Sequence, residues 1–226
     1  MKKKIFYTEY AYAIGLILLA LSTSLMVLAD FGVSMVVAPA YILHLKVSQY
    51  LPFFSFGMAE YTFQAILLIF MILILKRAKL SYLFSFVTAV IYGFLLDGIT
   101  LLVAYLPSEG FIARVILYVV GMLICSFSIA LLFRTYISPE VYEMFVKEVS
   151  AKLGMEISKF KTIYDCVSCL ISIIMSFAFF GLFVFKGVQL GTVICALVNG
   201  SIIGAFSKIL DKNFEFKDKF GLAKYF

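Results

Sequence analysis

The chain has 226 residues, of which 64% are hydrophobic and only 14% charged, with a formal net charge of +6 and a mean hydropathy of +1.07. A soluble domain of this length carries about 25% charged residues, so this composition cannot cover a water-facing surface and excludes an ordinary soluble domain. The basic residues cluster between apolar runs, which is the pattern of membrane-topology determinants; the bilayer is the expected partner and nucleic acid is not.

Met1-Lys2-Lys3-Lys4 followed by an apolar run imitates a secretory signal. The run Ala11–Ala29 is longer than an h-region of about 7–15 residues and lacks a small-x-small cleavage site, so it reads as a first membrane helix. Further runs at Tyr61–Leu75, Leu83–Tyr105, Phe111–Phe133, Ile163–Phe185 and Leu190–Leu210 reach or approach the roughly 20 residues that cross a hydrocarbon core. The second is short, and a start nearer Phe53 places Gly57 and Glu60 inside it. The expected fold is therefore an all-α integral membrane protein of about six transmembrane helices. It forms a single membrane domain over residues 1–226, with residues 211–226 as an inner tail and no linker or appended soluble domain. Cys125, Cys166, Cys169 and Cys195 all lie in apolar runs, so no disulfide framework is expected.

Two stretches interrupt the apolar pattern. Ala29-Asp30-Phe31-Gly32-Val33-Ser34-Met35-Val36-Val37-Ala38-Pro39 follows the first run, and Thr135-Tyr136-Ile137-Ser138-Pro139-Glu140-Val141-Tyr142 follows the fourth. At membrane depth, irregular backbone persists only where it is buried in protein or lines a polar cavity. Each break leads into a short segment. Met35–Tyr50 is apolar and reads as re-entrant or interfacial. Glu140–Leu153 reads as an amphipathic helix, with Val141, Phe145, Val146, Val149 and Leu153 on one face and Glu143, Lys147, Glu148 and Lys152 elsewhere. Ser138 is its expected cap, Pro139 its first residue, and the cytoplasmic surface its expected location.

With the N-terminus inside, sixteen of the nineteen Lys and Arg residues fall on the cytoplasmic side, and only Lys46, Arg114 and Lys186 fall outside. Both termini are thus expected in the cytoplasm. A shift of 104 to 106 residues lays Gly15 on Gly121, Ser22 on Ser128, Ser34 on Ser138 and Glu60 on Asp165. Three crossings per half make the two halves, residues 11–105 and 111–210, an inverted-topology repeat, whose sites lie between the halves.

The residues Asp30-Phe31-Gly32-Val33-Ser34, Ile137-Ser138-Pro139-Glu140 and Gly191-Thr192-Val193-Ile194 carry a resemblance to the YczE/YyaS/YitT family of bacterial membrane proteins. It spans roughly Ala11 to Leu210, with Met35 standing where the family's first break usually has proline. The resemblance implies a multi-pass protein of the bacterial inner membrane and names no substrate.

Ionisable groups at membrane depth are rare without a role. Asp97, well inside its run, is the leading candidate for a cavity-facing group, with a structural hydrogen bond as the alternative. Glu60 and Asp165, at matching repeat positions, suit binding of a cation, a proton or an amine; the competing reading caps helix N-termini at the headgroups. Asp30, Ser34, Ser138, Glu140 and Asn199 complete the candidate substrate-binding set, with Asn199 read either as cavity-facing or as part of a packing face with Gly200 and Gly204. Arg114 is expected to pair with Glu109, and Arg134 to anchor at the cytoplasmic surface. Cys166-Val167-Ser168-Cys169 reads as packing, because the sole histidine, His44, lies on the opposite side and no metal set is completed. No cofactor is expected.

The leading functional expectation is a secondary transporter or facilitator of a small, unidentified solute. The alternative is an accessory protein that recruits a partner through Glu140–Leu153. An enzyme is not expected: G-x-x-x-x-G-K-[ST], H-E-x-x-H and G-x-S-x-G are all absent from the sequence. A chain this small fits a homodimer, although no particular residue points to one.

Overall fold

Two helices from opposite halves of the chain, α1 (Thr8–Ala29) and α5 (Phe111–Leu132), form the axis of the molecule and run antiparallel. Glycine lets them approach. A Cβ at Gly15 would lie 2.9 Å from the Leu132 side chain, and one at Gly121 would lie 2.9 Å from Met26 and 3.1 Å from the Ser22 carbonyl oxygen. Without a hydrophobic drive between helices in lipid, such close backbone approach is a main source of association.

A computed structural model describes residues 3–221. Around the axis it places α3 (Phe56–Leu75), α4 (Leu80–Val103), α7 (Ile157–Phe180) and α8 (Leu190–Asn213). These four, with α1 and α5, are the six helices among the described residues that are long and apolar enough to cross a membrane. The molecule is an all-α polytopic membrane protein. Large apolar side chains such as Ile66, Phe70, Leu83, Phe94, Ile116 and Leu170 remain exposed on the outer faces, as lipid contact requires. The helices start and stop at recognisable chemistry: the Ser55 hydroxyl caps α3 by accepting from Met58 N, and Gln189 and Thr192 form a reciprocal capping box on α8.

The packing of one half is repeated in the other. α4 packs on α1 as α8 packs on α5, and α3 pairs with α4 as α7 pairs with α8. Two short helices, α2 (Ala38–Val47) and α6 (Val141–Leu153), cross over between halves: α2 packs on α7, and α6 on α3. Their N-terminal ends, at Val37 and Glu140, meet at a common interior point beside Leu19 and Thr23 of α1 and Ile129 of α5. From there α6 runs alongside α3 to the end of the bundle where Lys152 reaches the Ile74 carbonyl. α2 runs to the other end.

Several boundaries differ from the sequence expectation. α3 begins at Phe56, so Gly57 and Glu60 do lie inside it. α6 begins at Val141, with Glu140 at its N-cap and without a cap from Ser138. It is not a surface helix either: every residue from Val141 to Val146 is buried, including Glu143, whereas Leu153, expected on the apolar face, is exposed. The expected tail is structured through its first part. β1 (Lys4–Tyr7) pairs in parallel with β2 (Phe214–Lys217), which brings the two ends of the described chain together. Lys2 and Lys224, counted among the cytoplasmic charges, and residues 222–226 of the expected tail lie outside the described residues.

Candidate functional site

Where α2 and α6 begin, the interior is polar. α3 contributes Glu60 and, one turn on, Gln64; α6 contributes Glu140, Tyr142 and Glu143; α7 contributes Lys161 and, one turn on, Asp165. The i, i+4 spacing puts each pair on one helix face. Glu60 and Asp165 are 0% exposed, Glu140 and Lys161 1%, and Glu143 3%.

Gln64 joins the first group. Its Nε2 donates to Glu140 Oε2 at 2.7 Å and reaches Glu60 Oε2 at 3.5 Å, while its Oε1 accepts from the Val141 backbone N–H at 3.0 Å. Tyr142 donates its phenolic hydrogen to Glu60 Oε2 at 3.1 Å. In the second group the Lys161 ammonium lies 2.9 Å from Asp165 Oδ1 and 4.0 Å from Glu143 Oε1. The shorter contact is ionic, since its angles do not complete a hydrogen bond. Oxygens are left over: Glu60 Oε1, Glu140 Oε1, Glu143 Oε2 and Asp165 Oδ2 are buried with no partner among the described residues. Each such orphan costs about 1–3 kcal/mol or more, so four together mark a site that sacrifices stability.

Charge makes the same point. Four buried carboxyls face one buried ammonium, and the desolvation of an unpaired ion amounts to several kcal/mol. Burial holds the Glu140 carboxyl well above its ordinary value of 4.5, and the neighbouring Glu143 and Glu60 push it further. Glu143 is raised by burial and partly restrained by Lys161.

A cavity of about 20 Å³ lies at the meeting point, lined by Thr23, Ser34, Tyr92, Glu140, Tyr142 and Glu143 together with apolar side chains. Room of about 10–15 Å³ admits one water-sized guest. Larger cavities open toward the two ends. One of about 540 Å³, near the paired strands, has Arg134, Glu156, Asp211 and Lys161 in its wall; one of about 310 Å³, at the other end, is lined by Asp30, Gly32, Tyr41 and Lys186. Lys161 therefore borders the open cavity and the acid cluster at once, and Gly32 and Val33 of the far cavity stand two and one residues from Ser34.

The structure gathers Glu60, Glu140, Asp165 and Ser34 around this interior and leaves the other expected residues apart. Asp97 caps α3, accepting from the Ser55 hydroxyl at 2.6 Å and from Gly57 N at 2.8 Å; this is the structural alternative rather than a cavity role. Asp30 ends α1 in the left-handed conformation (φ 50) at the far rim. There Arg114 donates to its carboxylate and carbonyl, and Gln189 to its other oxygen, so Arg114 pairs with Asp30 and not with Glu109. Ser138 contributes its carbonyl to the Thr88 hydroxyl at 2.9 Å. Asn199 accepts from Ser126 at 2.6 Å between α5 and α8; Gly200 packs on Thr162 of α7, while Gly204 faces open space. Arg134 is an end anchor held by Asp211 and Ser207. Cys166 is exposed and Cys169 buried, with no disulfide between them.

Gln64, Tyr142, Glu143 and Lys161 escaped the sequence reading. Gln64 carried a signal, as a polar residue one turn from Glu60 inside an apolar run. Glu143 and Lys161 looked like solvated charges because they border basic, helix-flanking stretches. Only the inward course of α6 buries them.

Residues 6–208 match the model of a family of unknown function, DUF6198. No curated protein and no solved structure matches the chain.

Proposed function

Because the chain belongs to the DUF6198 family, whose description assigns no activity, its own interior must carry the argument, and we propose that it is a cation-coupled secondary transporter of a small solute. The observation that carries this reading is the surplus of buried carboxyls over the single ammonium at the junction of the two short helices, with end-opening cavities on either side. A buried acid cluster with exchangeable positive charge is the working part of a coupled carrier.

The pairing of the halves supports an inverted repeat, and the distribution of Lys and Arg supports termini in the cytoplasm, with a bacterial inner membrane as part of the same proposal. Gly15 meets Ser128 and Leu132 as Gly121 meets Ser22 and Met26. Tyr136 donates to Glu9 at one end as Arg114 donates to Asp30 at the other. Thr88 donates to the Ser138 carbonyl as Thr192 does to the Val33 carbonyl. All three correspondences keep an offset of 104 to 106 residues, and a homodimer of such units and kinship with the YczE/YyaS/YitT proteins belong to the same proposal. The accessory-protein reading is weaker, because its docking helix presents only its last turn and Lys147 to the outside.

The test is electrogenic or tracer flux in proteoliposomes, screened over small amines, amino acids and organic anions. A solute-dependent signal present in wild type and lost in Glu60→Gln and Glu140→Gln is expected. Folded wild-type protein that moves no class of solute under either a proton or a sodium gradient overturns the proposal.

A further inference from the structure

The 20 Å³ cavity between Thr23, Ser34 and Glu140 is too small for any organic solute, yet its wall is rich in free oxygen. Glu140 Oε1 is buried and without a partner among the described residues. Among the described residues the Ser34 hydroxyl donates to the Met35 thioether at 3.6 Å and accepts from no partner, which leaves its lone pairs unused. Thr23 and Tyr92 are joined by one hydrogen bond between their hydroxyls at 2.9 Å, so lone pairs remain on that pair as well. These oxygens come from α1, the first break, α4 and the start of α6; no one helix supplies the set.

What could fill the space follows from charge. The titratable groups facing Glu140 are Tyr12 of α1, Glu60 of α3, Tyr92 of α4, Cys125 of α5, Tyr142 and Glu143 of α6 and Lys161 of α7. Only Lys161 brings positive charge. The N-termini of α2 and α6 add about half a positive charge each, which still leaves the cluster negative when its carboxyls are ionised. A water molecule would satisfy Glu140 Oε1 and leave that excess in place. A small cation satisfies both, and a set of one or two carboxylate oxygens plus neutral hydroxyls suits a monovalent, oxygen-seeking ion.

We propose that the cavity bounded by Thr23, Ser34, Tyr92, Glu140 and Glu143 is a binding site for one dehydrated alkali cation. The ion would tie the first break, through Ser34, to the second, through Glu140. The inference rests on the transporter reading only for its purpose; binding itself is tested without a gradient or a solute.

The experiment uses the purified full-length protein in detergent. Equilibrium dialysis with ²²Na⁺, and thermal unfolding followed by circular dichroism in NaCl, KCl or LiCl against choline chloride at equal ionic strength, are run at pH values from about 6 to about 9. Expected are one alkali cation bound per chain, and an unfolding temperature that rises with that cation and not with choline. Affinity is expected to strengthen as pH rises, because protons compete for Glu140. Glu140→Gln should abolish the cation-specific rise, and Ser34→Ala should weaken binding about tenfold, or about 1.4 kcal/mol. If Glu140→Gln does not fold, Ser34→Ala and the wild-type stoichiometry decide. Equal behaviour in alkali and choline salts at every pH means that protons alone occupy the cluster and overturns the inference, as does full cation binding by folded Glu140→Gln. Cation binding without flux of any solute would uphold this site and reject the transporter reading; flux without cation binding would do the reverse.

Discussion

The two breaks occupy corresponding places and have opposite chemistry. In the first, the chain leaves α1 at Asp30, and Ser34 is the only polar side chain it sends to the centre; α2 then departs with Val36, Val37 and Ala38 buried around it. Its backbone is pinned by α8, where Gly191 N donates to the Phe31 carbonyl at 3.0 Å and the Thr192 hydroxyl to the Val33 carbonyl at 2.8 Å. In the second, the chain delivers Glu140, Tyr142 and Glu143 to the same point, answered by Glu60, Gln64, Lys161 and Asp165. Both breaks have a carbonyl pinned by a threonine hydroxyl, Val33 by Thr192 and Ser138 by Thr88, but toward the centre the first supplies neutral oxygen and the second supplies charge. The difference teaches that two similar breaks can divide the work, one gathering the electrostatic cost with its neighbours from α3 and α7 and the other presenting neutral oxygen.

The most severe way to break that asymmetry is to remove Lys161, the one buried ammonium of the acid cluster among the described residues. Lys161→Met leaves Glu143 and Asp165 without a partner and is expected to cost about 3–5 kcal/mol, seen as a large fall in unfolding temperature. Adding Asp165→Asn to it should recover much of the loss, since the orphaned charge is then gone. A smaller effect is expected where backbones touch. At Gly57 a Cβ would fall 2.2 Å from the Gly93 carbonyl oxygen, so Gly57→Ala must separate α3 from α4, at about 1–3 kcal/mol by the same assay.

The pH dependence sharpens the comparison further. Glu140 and Glu143 are held above 4.5 in the folded protein, so above that value the folded state retains protons the unfolded state has lost. Their contribution is complete below pH 4.5 and is lost as pH rises through the raised folded values, by about 1.4 kcal/mol per unit of upward shift. In choline chloride the wild-type unfolding temperature should therefore fall as pH rises from 5 toward 9, and Glu140→Gln should flatten the slope; Ser34→Ala, in the uncharged first break, should leave it intact. The smallest effect belongs to Asp97→Asn. As a cap on α3 it should cost about 1 kcal/mol and leave solute flux unchanged, whereas loss of flux with full stability would return Asp97 to the site.

Apolar run length and the thinness of charge were enough to set the class of the molecule and the number of its long helices, because crossing a hydrocarbon layer demands about 20 apolar residues whatever the contacts. The offset of 104 to 106 residues is also present in the linear chain, where it gives Glu60 and Asp165 matching positions. Which charges are buried could not be read the same way. Asp97 sits deep in its run and yet caps a neighbouring helix, while Lys161, two residues after Lys159 near a helix start, is buried beside the acid cluster. Periodicity reports which residues share a helix face, and only the neighbours α6 finds on α3, α4 and α7 determine whether that face meets water, lipid or another charge. The sequence by itself therefore determined the membrane class, the helices and the two breaks. Tertiary structure decided the site, because the cost of burying a carboxylate depends on what surrounds it in three dimensions.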